Sequence, residues 1–243
     1  MIKVTAPTRI DISAGWSDAD PFRSDFGGAV LNAAINLRVL ATLGNGKLTT
    51  SLEKVPSNSG LGTSGALRAV YLVAANPCLV KDKIDLIKRV NVFENAIVGQ
   101  RAGFQDQAAA IFGGVNYWEF RKNGSIKRIP VSKSKVEHLY KRLVLVFTGD
   151  RHVSANVHEK VFENGSYIKR IYQIKRMSVI AKEMMINIAN EKKMKLCITC
   201  RREFEPREEL VREDRYGKNP REYYEEQEEC DDGCEAVIIP TDR

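Results

Sequence analysis

The sequence predicts an α+β fold. Three observations carry that expectation. Strand-like β-branched stretches are interleaved with helical ones, Gly44-Asn45-Gly46 and Asn123-Gly124 are hairpin turn signals, and one long amphipathic helix stands out near the end of the body of the chain. Ile2–Thr5 and Arg9–Ser13 cluster β-branched residues as strands do. The polar stretch from Gly15 to Gly28 is expected as a loop, and Ala29–Leu43 as a strand or a short helix followed by a strand. Lys47–Val55 then reads as a strand beyond the Gly44-Asn45-Gly46 turn.

A glycine-containing loop, Pro56 to Gly65, runs directly into the compact apolar stretch Ala66–Ala75, a predicted helix. Asp82–Val98 has helical spacing through Ile84, Ile87, Val90, Phe93 and Ile97. Gln105–Phe112 is a shorter helix stopped by Gly113-Gly114, Val115–Arg121 and Ser125–Val131 form a strand pair, and Leu143–Phe147 is a fully apolar strand. In Tyr167–Ala189 the residues Ile168, Ile171, Ile174, Met177, Ile180, Met184 and Ile188 recur at steps of three or four, which is a core-facing stripe. No internal repeat is visible.

With 243 residues and 43% hydrophobic content the chain can bury a real core. No apolar run approaches the roughly 18 residues of a membrane span. The opening MIKVTAPTRIDIS reads as a first strand rather than a signal peptide, so a cytoplasmic location is expected. The net charge of +7 is unevenly placed. Residues 194–243 hold 9 Lys and Arg against 15 Asp and Glu, leaving 29 basic and 16 acidic residues before them. A basic body suits anionic ligands such as nucleotides and phosphates. Nucleic acid is disfavoured as a partner, because no RNA- or DNA-binding signature accompanies the charge.

Gly60-Leu61-Gly62-Thr63-Ser64-Gly65 fits G-x-G-x-x-G, a weak signal alone. Its physical logic is general. Glycines let backbone N–H groups approach phosphate oxygens, the following helix directs its N-terminus at the anion, and Thr63 and Ser64 supply hydroxyls for phosphate or Mg²⁺. The residues before it, Val55-Pro56-Ser57-Asn58-Ser59, are not the apolar strand a dinucleotide fold requires. A simple Gly-rich turn capping a helix is the other reading.

Three ordered segments sharpen this. They are Ala6-Pro7-Thr8-Arg9-Ile10-Asp11 with Gly15-Trp16-Ser17-Asp18 and Gly27 to Ile35; Gly60 to Ala66; and Gly103-Phe104-Gln105-Asp106-Gln107 with Phe112-Gly113-Gly114. In this order they resemble the GHMP kinases, with the nearest likeness to fucokinase and the heptose 7-phosphate kinases over roughly residues 1–193. The resemblance implies a GHMP-kinase-like two-layer N-terminal domain with a truncated ferredoxin-like C-terminal half. It also implies γ-phosphoryl transfer from ATP with Mg²⁺ to a hydroxyl, the anomeric one in the nearest sugar kinases. Gly60, Gly62, Thr63, Ser64 and Gly65 look like the phosphate cradle, and Ser64 and Glu94 like Mg²⁺ ligands. Asp106 is similar to the Asp that orients or deprotonates the attacking hydroxyl, and Arg9 to the Arg that stabilises the transferring phosphate. Asp18, Trp16 and His152 match positions that contact substrate. For Trp16, packing against its loop is the alternative, and for Glu94 and His152 an ordinary surface position.

The chain departs from the family in two ways. Only about 25 residues separate Ala33-Ala34-Ile35 from the glycine loop, and the family's closing Gly-rich motif is not found after Lys193. The implied organisation is residues 1–142 as the nucleotide-binding domain, 143–193 as the start of the C-terminal domain, and 194–243 as a distinct acidic tail. In that tail Cys197-x2-Cys200 and Cys230-x3-Cys234 have spacing that suits a four-thiolate Zn²⁺ site, the alternative being a flexible tail with incidental cysteines. The expected partners are a nucleotide and a small sugar or sugar phosphate, with no membrane and with a homodimer allowed. The competing functional reading is a catalytically degenerate nucleotide- or sugar-binding protein carrying a zinc-stabilised interaction module.

Overall fold

The computed structural model describes residues 1–53, 55, 59–141, 143–146, 162 and 166–190. A five-stranded antiparallel sheet is built on one long central strand. β1 (Ile2–Ser13) pairs along one edge of β2 (Gly28–Gly44). The other edge of β2 is shared. Its C-terminal half pairs with β3 (Lys47–Glu53) and its N-terminal half with β4 (Val115–Phe120), which pairs onward with β5 (Ile126–Pro130). The β2–β3 connection is a two-residue hairpin with Asn45 and Gly46 both at positive φ, the combination that matches strand twist.

The helices are α1 (Phe22–Phe26), α2 (Thr63–Ala75), α3 (Lys83–Val92), α4 (Gln105–Phe112), α5 (Lys133–Tyr140) and α6 (Ser166–Asn190). A 3₁₀ turn, Pro77–Lys81, precedes α3, and a π-helical turn, Phe93–Ile97, extends it. Alternation along β4 separates two cores. Trp118 and Phe120 pack with Val30, Ile87 and Ala108 on the α3–α4 side, while Val115 and Tyr117 face Ile180, Ala181, Met184 and Ile188 of α6. The α6 stripe expected from sequence is therefore the cover of the second face; of its members, Ile174, Ile180, Met184 and Ile188 are buried.

A bulge aims the first strand. Val4 and Ala6 pack with α2, whereas Ile10 and Ile12, of the same parity, pack with α6. The switch coincides with the register shift between Pro7 and Arg9, opposite Ala34 to Arg38. Strict alternation would have put Arg9 on the α6 side; the shift turns it toward α4.

Several sequence expectations are corrected. The two opening strands are one bent strand; of the two readings of Ala29–Leu43 the strand holds, both faces of β2 being covered. The loop before β2 contains α1. The expected Asp82–Val98 helix changes to π geometry at Phe93. Lys133–Tyr140 is an unanticipated helix. Leu143–Phe147 was expected as a strand, yet Leu143–Val146 form none and are exposed, Val144 to 86%. β propensity alone does not make a strand, and none of the described strands pairs with this run. Among the described residues no helix is long and apolar enough to cross a membrane.

Truncation of Met184, 2% exposed, to Ala is expected to lower unfolding free energy by about 2–5 kcal/mol in urea titrations, with Tyr172→Ala on the exposed face of α6 staying within about 0.5 kcal/mol.

Candidate active site

The glycine loop, β1 and the start of α4 meet at one place. Arg9 Nε donates to Asp106 Oδ1 at 2.8 Å and its Nη2 lies 2.6 Å from the same oxygen, both side chains being largely buried. Arg9 also holds the loop, through its Nη1 to the Gly60 carbonyl and its backbone N–H to the Leu61 carbonyl at 3.0 Å. Burial alone would lower the Arg9 pKa, but Asp106, with Asp11 and Asp18 further away, outweighs it and the net shift is upward. The guanidinium stays charged.

Gly62 precedes α2 with φ 66°, and a Cβ there would lie 3.1 Å from Arg9 and Asp106 atoms. Both the left-handed backbone and the close approach call for glycine. Gly65 sits where α2 crosses α4, against Asp106 and Gln107. Thr63 opens α2, whose first turn has neither a side-chain cap nor an acidic residue. Its leading N–H groups are thus available to an anion.

Ser64 Oγ donates to Glu94 Oε1 at 2.6 Å. Glu94 is 2% exposed and belongs to the π-helical turn, so the widened helix carries a buried carboxylate to the loop. Burial pushes its pKa up to about 7; the Ser64 hydrogen bond opposes this, Asp106 adds to it, and Arg68 opposes it. A hydroxyl beside a carboxylate is an oxygen-donor pair of the kind that suits Mg²⁺. Arg68, one turn after Ser64 on α2, was not singled out from sequence although the i, i+4 spacing places it on the same helix face. Asp11 was also passed over; it shares the strand face of Arg9 two residues on.

Of the remaining expected residues, Asp18 lies near enough to Arg9 and Asp106 to interact with them electrostatically. Asp18 is buried, its Oδ2 accepting the Phe104 and Gln105 backbone N–H groups at 2.7 and 2.8 Å. Burial raises its pKa to about 6, against the lowering effect of the Gln105 hydrogen bond. Trp16 packs in the cluster of Phe22, Phe162 and Ile174, its ring 6.0 Å from that of Phe162. His152 and Cys197, Cys200, Cys230 and Cys234 lie outside the described residues. Among the described residues no group of three or more His, Cys, Asp or Glu is placed to hold a metal ion.

Residues 29–114 match the family described as GHMP kinases N terminal domain, a span that includes the glycine loop, Glu94 and Asp106. The chain is 24% identical over 253 residues to the bifunctional fucokinase/GDP-fucose pyrophosphorylase of Arabidopsis thaliana, covering 74% of this chain and 23% of that protein. It is 26% identical over 215 residues to the D-glycero-alpha-D-manno-heptose 7-phosphate kinase of Campylobacter jejuni, covering 65% of this chain and 62% of that one. The chain thus spans less than two thirds of either relative. The fold resembles the crystal structure of a D-glycero-D-manno-heptose 1-phosphate kinase from Bacteroides thetaiotaomicron, with TM-score 0.63, 22% identity, and 78% of this chain and 74% of that one covered. A Streptococcus pneumoniae phosphomevalonate kinase shares it at TM-score 0.52 and 11% identity, with 79% and 74% covered.

The two raised acids fix the direction of pH dependence. Glu94 and Asp18 keep their protons to higher pH in the folded than in the unfolded chain, so their stabilising contribution is complete below about pH 4 and is lost as pH rises through 6 and 7. The melting temperature of the nucleotide-free protein is expected to fall between pH 5 and about 8, and Glu94→Gln to flatten the upper part of that fall in calorimetric scans.

Proposed function

We propose that this protein transfers the γ-phosphoryl group of ATP to a hydroxyl of a sugar or sugar phosphate, the anomeric hydroxyl being the favoured acceptor. The observation that carries this reading is the convergence of the uncapped α2 N-terminus, the Ser64–Glu94 pair and the Arg9–Asp106 pair around one glycine loop. Its support from relatives is the sugar-kinase activity in the names of the Arabidopsis thaliana and Campylobacter jejuni proteins.

In this reading the backbone of Gly60, Gly62 and Gly65 and the leading N–H groups of α2 cradle the nucleotide phosphates, with the Thr63 and Ser64 hydroxyls as further donors. Ser64 and Glu94 would hold Mg²⁺, which when bound neutralises phosphate charge. Binding there favours the ionised form of Glu94, opposing the burial that otherwise keeps its proton. Asp106 accepts the hydrogen bond, then the proton, of the acceptor hydroxyl. As the oxygen of that hydroxyl bonds to the γ-phosphorus, the bond to the β–γ bridging oxygen breaks and ADP leaves. Arg9 holds Asp106 in place, and its charge lies beside the loop where the transferring group passes. Positioning and charge neutralisation are the larger part of catalysis in phosphoryl transfer.

A coupled ADP assay over a panel of sugars and sugar phosphates, with MgATP binding followed by calorimetry, tests this. Turnover is expected with at least one sugar. Asp106→Ala should reduce kcat by about 10²-fold or more while MgATP still binds, and Ser64→Ala should weaken MgATP binding. Nucleotide binding without turnover on any acceptor would favour the binding-protein reading; absence of both would reject the kinase assignment.

A further inference from the structure

We propose that Asn32, buried in the middle of the sheet, is a positioning residue of the phosphoryl-transfer site, its amide fixing the peptide plane from which Asp106 projects. The proposal rests on the phosphoryl-transfer reading for what Asp106 does, but the placement of the plane stands apart from it. Asn32 lies on β2 and is fully buried. Its Nδ2 donates to the Gln105 carbonyl at 3.1 Å, and its Oδ1 accepts the indole N–H of Trp118 on β4, also at 3.1 Å. A carbonyl only accepts and an indole N–H only donates, so a single orientation of the amide serves both.

The Gln105 carbonyl belongs to the peptide unit that ends at the Asp106 Cα. Those atoms are coplanar, so a bond to the oxygen sets the plane on which Asp106 stands. Arg9 holds the other end of the same residue, at its carboxylate. α4 has only 8 residues, a length marginal in isolation, and takes its place from what it is bonded to. The sheet supplies a second amide at the far end of the helix. Asn116, the register partner of Asn32 on β4, donates through Nδ2 to the Gly113 carbonyl at 2.8 Å and accepts from Arg128 Nε at 2.6 Å. Two neighbouring sheet amides thus hold the head and the foot of α4. The layer around Asn32 is otherwise apolar, with Val30 two residues before it on β2 and Ala108 and Trp118 in the same cluster. An apolar side chain would satisfy packing there; what the amide adds is the bond to Gln105.

Changing both partners separates position from stability. Asn32→Leu alone leaves the Trp118 N–H buried and unpaired, and should lower the melting temperature. Asn32→Leu combined with Trp118→Phe removes donor and acceptor together, and should bring the melting temperature most of the way back. kcat should not follow it. In the double variant kcat is expected to stay about tenfold or more below wild type, with the acceptor KM and the MgATP Kd within about threefold, the pattern of a misplaced catalytic group. Asn32→Ala with Trp118→Phe, smaller at the same place, covers the case in which the leucine variants fail to fold. Hydrogen exchange of the residue 104–108 amides needs no turnover, and should be faster in the double variant than in wild type. If wild type turns over no sugar, the kinase reading fails and exchange alone decides the placement. Recovery of kcat together with melting temperature in the double variant would overturn the proposal, since Asn32 would then serve stability only. Equal exchange in wild type and the double variant would overturn it as well.

Discussion

The Arg9–Asp106 ion pair is the constraint on which the site depends. One guanidinium from β1 is bonded to the carboxylate at the head of α4 and to the carbonyl of Gly60, while its own N–H holds Leu61. Strand, loop and helix are tied at a point from which none can move alone. The bulge at Pro7–Arg9 exists on the sheet side of this arrangement, and the Cβ-free approach of Gly62 on the loop side. Removing either charge leaves the other largely buried and uncompensated, which is why such pairs are costly to break even where their net worth is small.

Around this pair the charges are unbalanced. Asp11, Asp18, Glu94 and Asp106 are near enough to influence one another, with Arg9 inside the group and Arg68 beside Glu94. Burial, first of all, raises the pKa of two of these acids, Asp18 and Glu94. Their environments give them different work. Asp18 is committed to backbone N–H groups, while Glu94 faces a hydroxyl at the mouth of an uncapped helix.

Much of this was legible in the sequence, for definite reasons. The α6 stripe repeats long enough to be unambiguous, and Asn45-Gly46 selects its hairpin turn. Gly60 to Gly65 and Asp106 stood in ordered motifs, and their meeting with Arg9 followed from those. The bend in β1 was not legible, because a register shift depends on the partner strand and leaves no mark in local composition. Nor were the partners of Asp18 visible, since they are backbone N–H groups 86 and 87 positions away that no side-chain pattern marks. The Leu143–Val146 run shows the converse, since β propensity alone does not make it a strand.

The most direct test of the central constraint is a double-mutant cycle on Arg9→Met and Asp106→Asn, read by chemical denaturation of the nucleotide-free protein. Each single change should destabilise the fold, and the double variant should lose less than the two together, with a coupling of about 0.5–3 kcal/mol. Strict additivity of the two changes would show that the pair does not join β1, the glycine loop and α4, and would contradict the account.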